Sequence, residues 1–343
     1  MNTRIIHILS ETFRYFFSKN FFRNFFYNIY VGRLTSAGGV ARFLLQRKSV
    51  KRHLKSQGQE QTLFSSMTVN WLFPFFVGTN RKRVLIRFLE VWPTISCNLR
   101  CEYCGAFSPL MKGTVSAEEM IYWLETWSKK IVPLNFAFSG GEPLLHPKLE
   151  TILDVSRRCW SQTRLELLTN GLLLPKIRTE VLESILRNNV QVLVTKHFDY
   201  SEYNEKFFAG VEILKQFGIV YSIRRSDQFW FKYYQLNHEN RPVPFESDSC
   251  KAWKQCFAKI GVIQDNELYY CGLLGHMIKA RQAGVIGTEW DVTLSHRPLT
   301  PDCTREELVQ YLYQGVLKEC GVCAEKYEYI VPQELSRLKL KEN

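Results

Sequence analysis

The chain is poor in several things whose absence narrows its class. No clean apolar run with a small-residue cleavage site follows the first charges, so no secretory signal is expected at the N-terminus. The charge-free stretch 61–80 ends in Leu72-Phe-Pro-Phe-Phe-Val77 but also carries Ser65, Ser66, Thr68, Asn70 and Pro74. It is too polar for the roughly 20 apolar residues of a spanning helix and reads as interfacial or packed. No phosphate loop, dinucleotide fingerprint or Ser-His-Asp set stands out, which leaves nucleotide-fold and serine-hydrolase chemistry without a carrier. The histidines form no cluster; His146 reads as a loop residue and His197 as a pocket-wall candidate.

Acidic residues are scarce in one region only. Residues 1–90 hold 15 Lys and Arg against 3 Asp and Glu, a surplus equal to the whole chain's net charge of +12. Residues 91–343 are therefore neutral. The same segment is aromatic: ten of the twenty residues from Glu11 to Tyr30 are Phe or Tyr, with Phe13, Phe16, Phe17 and Phe21 at helical spacing. A basic helix with a bulky apolar face fits an anionic membrane surface, and Arg47, Lys48, Lys51, Arg52 and Lys55 add surface attraction. A single-stranded nucleic acid is a second partner for such a pattern, and an accessory layer packed on the rest of the fold is a third reading.

What the chain does have is cysteine. Ten in 343 residues, without a secretory signal, read as metal ligands rather than a disulfide framework, and the protein is expected in the cytoplasm, at most peripheral at the inner face of the membrane. Cys97, Cys101 and Cys104 stand at spacing C-x3-C-x2-C. Structural zinc wants four protein ligands; three thiolates suit a [4Fe–4S] cluster with one iron left open to a small molecule.

Beyond them, Phe136-Ala-Phe138 runs into Ser139-Gly140-Gly141-Glu142-Pro143, and Leu165–Leu168 into Thr169-Asn170-Gly171. Each is a short apolar run ending in turn-forming residues. With the three cysteines, these motifs resemble the radical S-adenosylmethionine (SAM) superfamily, over roughly residues 84–226. The resemblance implies that Cys97, Cys101 and Cys104 each ligate one iron. SAM would chelate the fourth through its amino and carboxylate groups. It implies that Ser139, Gly140, Gly141 and Glu142 receive the SAM amino group, and that Tyr103 packs near the adenine. Thr169, Asn170 and Thr195 would line the pocket, and Arg224 would pair with a carboxylate.

Strand and helix alternate from residue 84. Apolar runs at Val84–Val91, Phe136–Phe138, Leu165–Leu168, Val190–Val194 and Ile219–Ile223 read as five strands. Between them lie helices signalled by the capping box Ser116–Glu119, by Met120, Leu124, Trp127 and Ile131 at helical spacing, and by the stop at Gly218. The alternation argues an α/β fold with a parallel sheet; combined with the resemblance it implies a partial (β/α)6 TIM-type barrel, with an α-helical N-terminal extension and a small cysteine-rich C-terminal extension. The expected divisions are 1–83, 84–249 and 250–343. In such barrels the chemistry sits at the C-terminal ends of the strands.

The C-terminal third holds Cys250, Cys256, Cys271, Cys303, Cys320 and Cys323. Segments 259–263 and 267–270 flank Asp265-Asn266, a hairpin turn. The set is similar to the SPASM and twitch extensions of radical SAM enzymes, although Asn266 stands where SPASM has glycine and the full run of late cysteines is missing. One auxiliary [4Fe–4S] cluster is expected on Cys256, Cys271, Cys320 and Cys323, with Cys250 competing for a position; a structural zinc is the alternative. Cys159 reads as a core residue.

The resemblance implies reductive cleavage of SAM to a 5′-deoxyadenosyl radical and hydrogen abstraction from a peptide or protein, with an electron donor of flavodoxin or ferredoxin type. A membrane-associated lipid or glycan precursor is the second substrate class. A non-catalytic metal-binding assembly protein is the reading of another kind.

Overall fold

The computed structural model describes residues 83–331 apart from 229, 257, 259 and 313. All belong to one compact unit spanning residues 82–343. The basic aromatic segment 1–60 and the stretch 61–80 lie outside the described residues.

Five strands follow one another as expected. They are β1 (Val84–Thr94), β2 (Ile131–Gly140), β3 (Arg164–Thr169), β4 (Val190–Lys196) and β5 (Tyr221–Arg225), each parallel to the next. The helices α1 (Ala117–Ser128), α2 (Leu149–Cys159), α3 (Thr179–Arg187) and α4 (Ser201–Gln216) make the crossovers. Local chemistry sets their ends. Ser116 and Glu119 close a reciprocal capping box on α1, and Gly218 leaves α4 at φ +66°, a conformation glycine enters without a Cβ penalty. The apolar stripe expected on α1 stops short of Ile131, which opens β2 instead. The fifth strand begins at Tyr221 rather than Ile219, whose N–H caps α4 at Leu214 O.

The sixth parallel strand comes from further along the chain. β6 (Gly261–Gln264) pairs parallel with β1, and β7 (Glu267–Tyr269) returns antiparallel on it, giving the order β7-β6-β1-β2-β3-β4-β5. The turn between them holds Asp265 and Asn266 at φ +54° and +58°, the pair of positive angles a two-residue hairpin requires. The sheet therefore runs across residue 249/250 without a break in its hydrogen bonding. Two-residue strand pairs join 230–231 to 329–330 and 235–236 to 242–243. Helices α5 (Ser249–Gln255), α6 (Gly272–Gln282) and α7 (Arg305–Leu312) complete the unit.

Strand register decides which side chains meet, because paired residues point to the same face of a sheet. On the helix-covered face Leu89 pairs with Phe136, Val91 with Phe138 and Phe138 with Leu167, all fully buried with Met120, Leu124 and Trp127 of α1. The other face is polar. Glu90 aligns with Ala137 and Ala137 with Glu166, then Glu166 with Gln191, and Thr195 with Arg224. Among the described residues, no helix is long and apolar enough to cross a membrane.

Candidate active site

The cysteine loop leaves the C-terminal end of β1 and is held by backbone contacts on both flanks. Gly113 O accepts from Ile95 N at 2.9 Å and Thr94 Oγ1 at 2.7 Å. Tyr103 and Phe107 sit at φ +52° and +53°, so the loop coils tightly around the third thiol. Leu99 N lies 3.4 Å from Cys97 Sγ, and the backbone N–H groups of Ala106, Phe107 and Ser108 bond Cys104.

Burial governs the thiols. It pushes Cys97 up to about 12, with the nearby Glu142 and Cys104 adding to the rise. It raises Cys104 as well, against the N–H groups that favour its thiolate. Such groups deprotonate at neutral pH only when a cation takes the proton's place, which is how metal loading couples to proton release. Cys101 Sγ stands 3.7 Å from His197 Nδ1. Burial depresses the His197 imidazole to about 4, so it is neutral and able to donate to a sulfur. Its backbone N–H is held by Tyr203 Oη at 3.0 Å.

The glycine pair after β2 has a tighter job than approach to a ligand. A Cβ on Gly141 would lie 2.2 Å from Ser96 O and 2.3 Å from Ile95 O; on Gly140, at φ +108°, it would lie 2.6 Å from Thr94 O. Gly141 N and Glu142 N donate to Thr94 O and Ser96 O, both at 2.9 Å. The turn is thus packed backbone to backbone against the residues that launch Cys97, where only glycine fits.

Glu142 is a buried hub. Its Oε1 accepts from Leu144 N at 3.0 Å and Thr169 Oγ1 at 2.7 Å, and Oε2 from Asn170 N at 2.8 Å. Burial raises its carboxyl to about 7 in spite of these donors. Oε2 accepts one hydrogen bond among these, where Oε1 accepts two.

Of the other expected pocket residues, register gathers some and separates one. Asn170 Nδ2 bonds Asn98 Oδ1 at 2.7 Å and lies 3.9 Å from Cys97 Sγ, beside the cysteine loop. Thr195 and Arg224 pair with each other on the polar face. Ser139 follows Phe138 by one residue and so joins that face as well. Thr169 does not: its position aligns with Val194, on the helix-covered face, and its hydroxyl is used on Glu142 and Gly171 N. Tyr103 has its ring 5.5 Å from Tyr234, with Lys232 Nζ 5.6 Å from its centroid. His146 is structural: Nε2 reaches Val115 O at 2.8 Å and Nδ1 accepts from Lys148 N at 3.1 Å.

Periodicity gave no sign of Glu90. It faces the polar side beside Arg224, takes a hydrogen bond from Trp92 Nε1 at 3.1 Å, and burial raises its carboxyl to about 7. Charge inside a parallel strand, between Leu89 and Val91, is the one sequence feature that could have flagged it. Tyr233 and Tyr234, from the aromatic stretch 227–249, come close enough for the Cys104 charge to raise both phenols beyond the rise caused by burial.

The second thiol set also converges. Cys256, Cys271, Cys320 and Cys323 line one small cavity under Trp253 and Met277. Burial pushes Cys271 up to about 12, with Cys256 and Cys320 adding to it, and Cys323 is raised by burial and by the other three. Cys250 is exposed on α5 and does not line that cavity. Cys303 is buried, with its carbonyl 2.7 Å from Lys130 Nζ, and the half-buried Cys159 packs on the main core. No disulfide joins the ten cysteines. Among the described residues, no three His, Cys, Asp or Glu side chains close around a single-ion position. The two thiol sets adjoin through packing: a Cβ on Gly105, next to Cys104, would lie 2.9 Å from Leu273, two residues from Cys271.

Residues 93–221 match the family model of the radical SAM superfamily. A GTP 3′,8-cyclase of Chlorobaculum tepidum is 30% identical over 106 residues, 29% of this chain and 30% of its own. A GTP 3′,8-cyclase of Clostridium acetobutylicum is 27% identical over 107 residues, 30% and 33% of the two chains. The chain thus spans about a third of the length of these relatives. Among solved structures, native anSMEcpe with bound AdoMet and Cp18Cys peptide is 22% identical, covering 40% of this chain and 42% of its own at TM-score 0.34. BtrN in complex with AdoMet and 2-DOIA is 16% identical, covering 72% and 100% at TM-score 0.42.

Proposed function

We propose, from the premise that residues 93–221 are a domain of the radical SAM superfamily, that the chain is a radical SAM enzyme whose substrate is a peptide or protein. The observation that carries the reading is a three-thiol loop without a fourth cysteine, at the C-terminal ends of parallel strands beside a polar sheet face. A structural site has no use for an open iron.

The residues present fit the cofactors of that superfamily. Cys97, Cys101 and Cys104 would hold a [4Fe–4S] cluster, and Glu142, Asn170, Ser139, Thr195 and Arg224 would border SAM. When bound, the pair supplies a 5′-deoxyadenosyl radical on one-electron reduction, from a donor of flavodoxin or ferredoxin type. The chain's own work is positional. The glycine turn sets the loop, the Glu142 carboxylate receives an ammonium, and the His197 imidazole donates to Cys101 Sγ. The burial of Cys101 and the partial burial of Cys97 and Cys104 would limit the access of water to a bound cluster. Cys256, Cys271, Cys320 and Cys323 would hold one auxiliary cluster.

The peptide reading is supported by the open edge of the sheet. Among the described residues β5 pairs only with β4, and its last three residues, Ile223, Arg224 and Arg225, are exposed at the rim of the polar face. An extended peptide adds to such an edge through main-chain hydrogen bonds. The basic aromatic segment 1–60 is proposed to dock on an anionic membrane, which keeps a lipid or glycan precursor as the second reading.

The test uses extracts of cells grown in deuterated medium, fractionated into peptides and lipids. Deuterium in 5′-deoxyadenosine with the peptide fraction, abolished by protease, is the expected outcome. Deuterium with the lipid fraction alone overturns the peptide substrate.

A further inference from the structure

The first thiol set receives a contact that its own loop does not supply. Cys101 Sγ lies 3.7 Å from Nδ1 of His197, 96 residues further along the chain. The other two sulfurs are met by backbone N–H groups, Leu99 at Cys97 and Ala106, Phe107 and Ser108 at Cys104. Those donors come with any chain that folds into this loop. His197 is a side chain brought from another element, and a substitution can remove its N–H without unmaking the loop.

The ring is held where it stands. His197 follows β4 directly, and its backbone N–H donates to Tyr203 Oη at 3.0 Å. Trp230 meets the imidazole edge-on, with ring centroids 5.5 Å apart, and donates from Nε1 to Glu102 O at 2.9 Å. One indole thus braces both His197 and the residue after Cys101. The preceding residue, Lys196, is buried and pairs with the buried Asp227 at 3.3 Å and with Asp199 at 2.6 Å. Arg225 closes on Asp227 at 2.8 Å, and Asp227 N donates to Lys196 O at 2.9 Å. A buried ion cluster gains little net stability against its desolvation cost; this one fixes the strand end that carries His197.

We propose that His197 is a positioning residue that sets the reduction potential of the iron–sulfur cluster on Cys97, Cys101 and Cys104, through a hydrogen bond from Nδ1 to Cys101 Sγ. The inference rests on the cluster reading of that loop. A cysteine that ligates iron has lost its proton and can only accept, so the hydrogen lies on Nδ1. On reduction one electron enters from a low-potential donor of flavodoxin or ferredoxin type. No proton moves and no bond forms or breaks, and the added negative charge spreads onto the sulfurs. A donor at a sulfur favours the more negative state, and hydrogen bonds to the sulfurs are among the factors that set the potentials of such clusters. His197 therefore makes the cluster easier to reduce.

The experiment follows reduction of the full chain, reconstituted with iron and sulfide, by electron paramagnetic resonance at a series of fixed potentials. The signal that SAM perturbs belongs to the cluster with the open iron, and a second signal serves as an internal control. His197→Phe keeps a ring against Trp230 and removes the donor. At the parent's midpoint, its SAM-sensitive cluster is expected to show a reduced-to-oxidised ratio about tenfold lower, about 59 mV for a one-electron couple, with the second signal unmoved. His197→Asn keeps an N–H near the place of Nδ1 without the ring, and its midpoint is expected to stay near the parent's; a purely structural role would give the reverse order. In the parent itself, histidine labelled with nitrogen-15 is expected to couple magnetically to the reduced SAM-sensitive cluster, a readout that needs no variant to fold. The proposal is overturned if His197→Phe keeps the parent's midpoint, if His197→Asn shifts as far as His197→Phe, or if the label does not couple. A parent without a SAM-sensitive cluster overturns the cluster reading as well, whereas an intact SAM-sensitive cluster with an unmoved midpoint overturns the role of His197 alone.

Discussion

Gly141 is the residue at which fold and chemistry are hardest to separate. Its missing Cβ lets the turn after β2 rest on Ser96 O, one residue before the first thiol. Gly141→Ala would put a methyl group 2.2 Å from that oxygen, so one of the two backbones must move. We expect the variant to fold yet retain less than half of the parent's iron after anaerobic reconstitution, measured per chain. Full iron content would remove the packing role.

Glu90 shows what burial does to charge at the same scale. Its folded-state pKa of about 7 lies above the ordinary 4.5. The fold favours the protonated form, so its stabilising contribution is complete below about 4.5 and is lost as pH rises through about 7. Glu90→Gln removes that loss. The stability of the variant relative to the parent should therefore rise between pH 4.5 and 7 in urea unfolding. A difference that stays flat over this range would show that Glu90 is solvated.

The elements were legible where a signal is local. The Ser116–Glu119 capping box, the Gly218 stop and the Asp265-Asn266 turn depend on residues within four positions of each other, and each is present in the structure. Ser116→Ala should cost about 1 kcal/mol, the usual worth of an N-cap, read as a shift in the urea midpoint at unchanged slope. No shift would mean that packing of Trp127 and Leu124 alone defines α1. What was not legible depends on register and on distant pairing. Nothing local says that Gly261–Gln264 pairs with Leu89–Val91, because a hairpin turn fixes its own two strands and not the third. The same holds for Thr169: whether it lies on the polar or the helix-covered face is decided only by its alignment with Val194. Glu142 was expected as a ligand group, yet its ties to Thr169 and Asn170 come from residues 27 and 28 positions away at the end of β3.

At the scale of the whole molecule, the cysteine motif and the order of the strands could be read directly, since spacing and alternation survive any tertiary arrangement. The closeness of the two thiol sets could not, because it is made by Leu273 against Gly105. With two four-iron clusters the reconstituted chain should hold about eight irons. Replacing Cys271 and Cys323 by Ala should leave about four and keep SAM cleavage measurable. One zinc per chain, with about four irons, would assign the second set to a structural ion instead.

The central claim is that the loop from Cys97 to Cys104 holds the cluster on which SAM is cleaved. The most direct measurement is 5′-deoxyadenosine formed under anaerobic reduction by the triple variant Cys97→Ala, Cys101→Ala, Cys104→Ala, with iron counted in the same sample. The account predicts no 5′-deoxyadenosine above background and retention of the auxiliary iron; 5′-deoxyadenosine at the parent's level would contradict it.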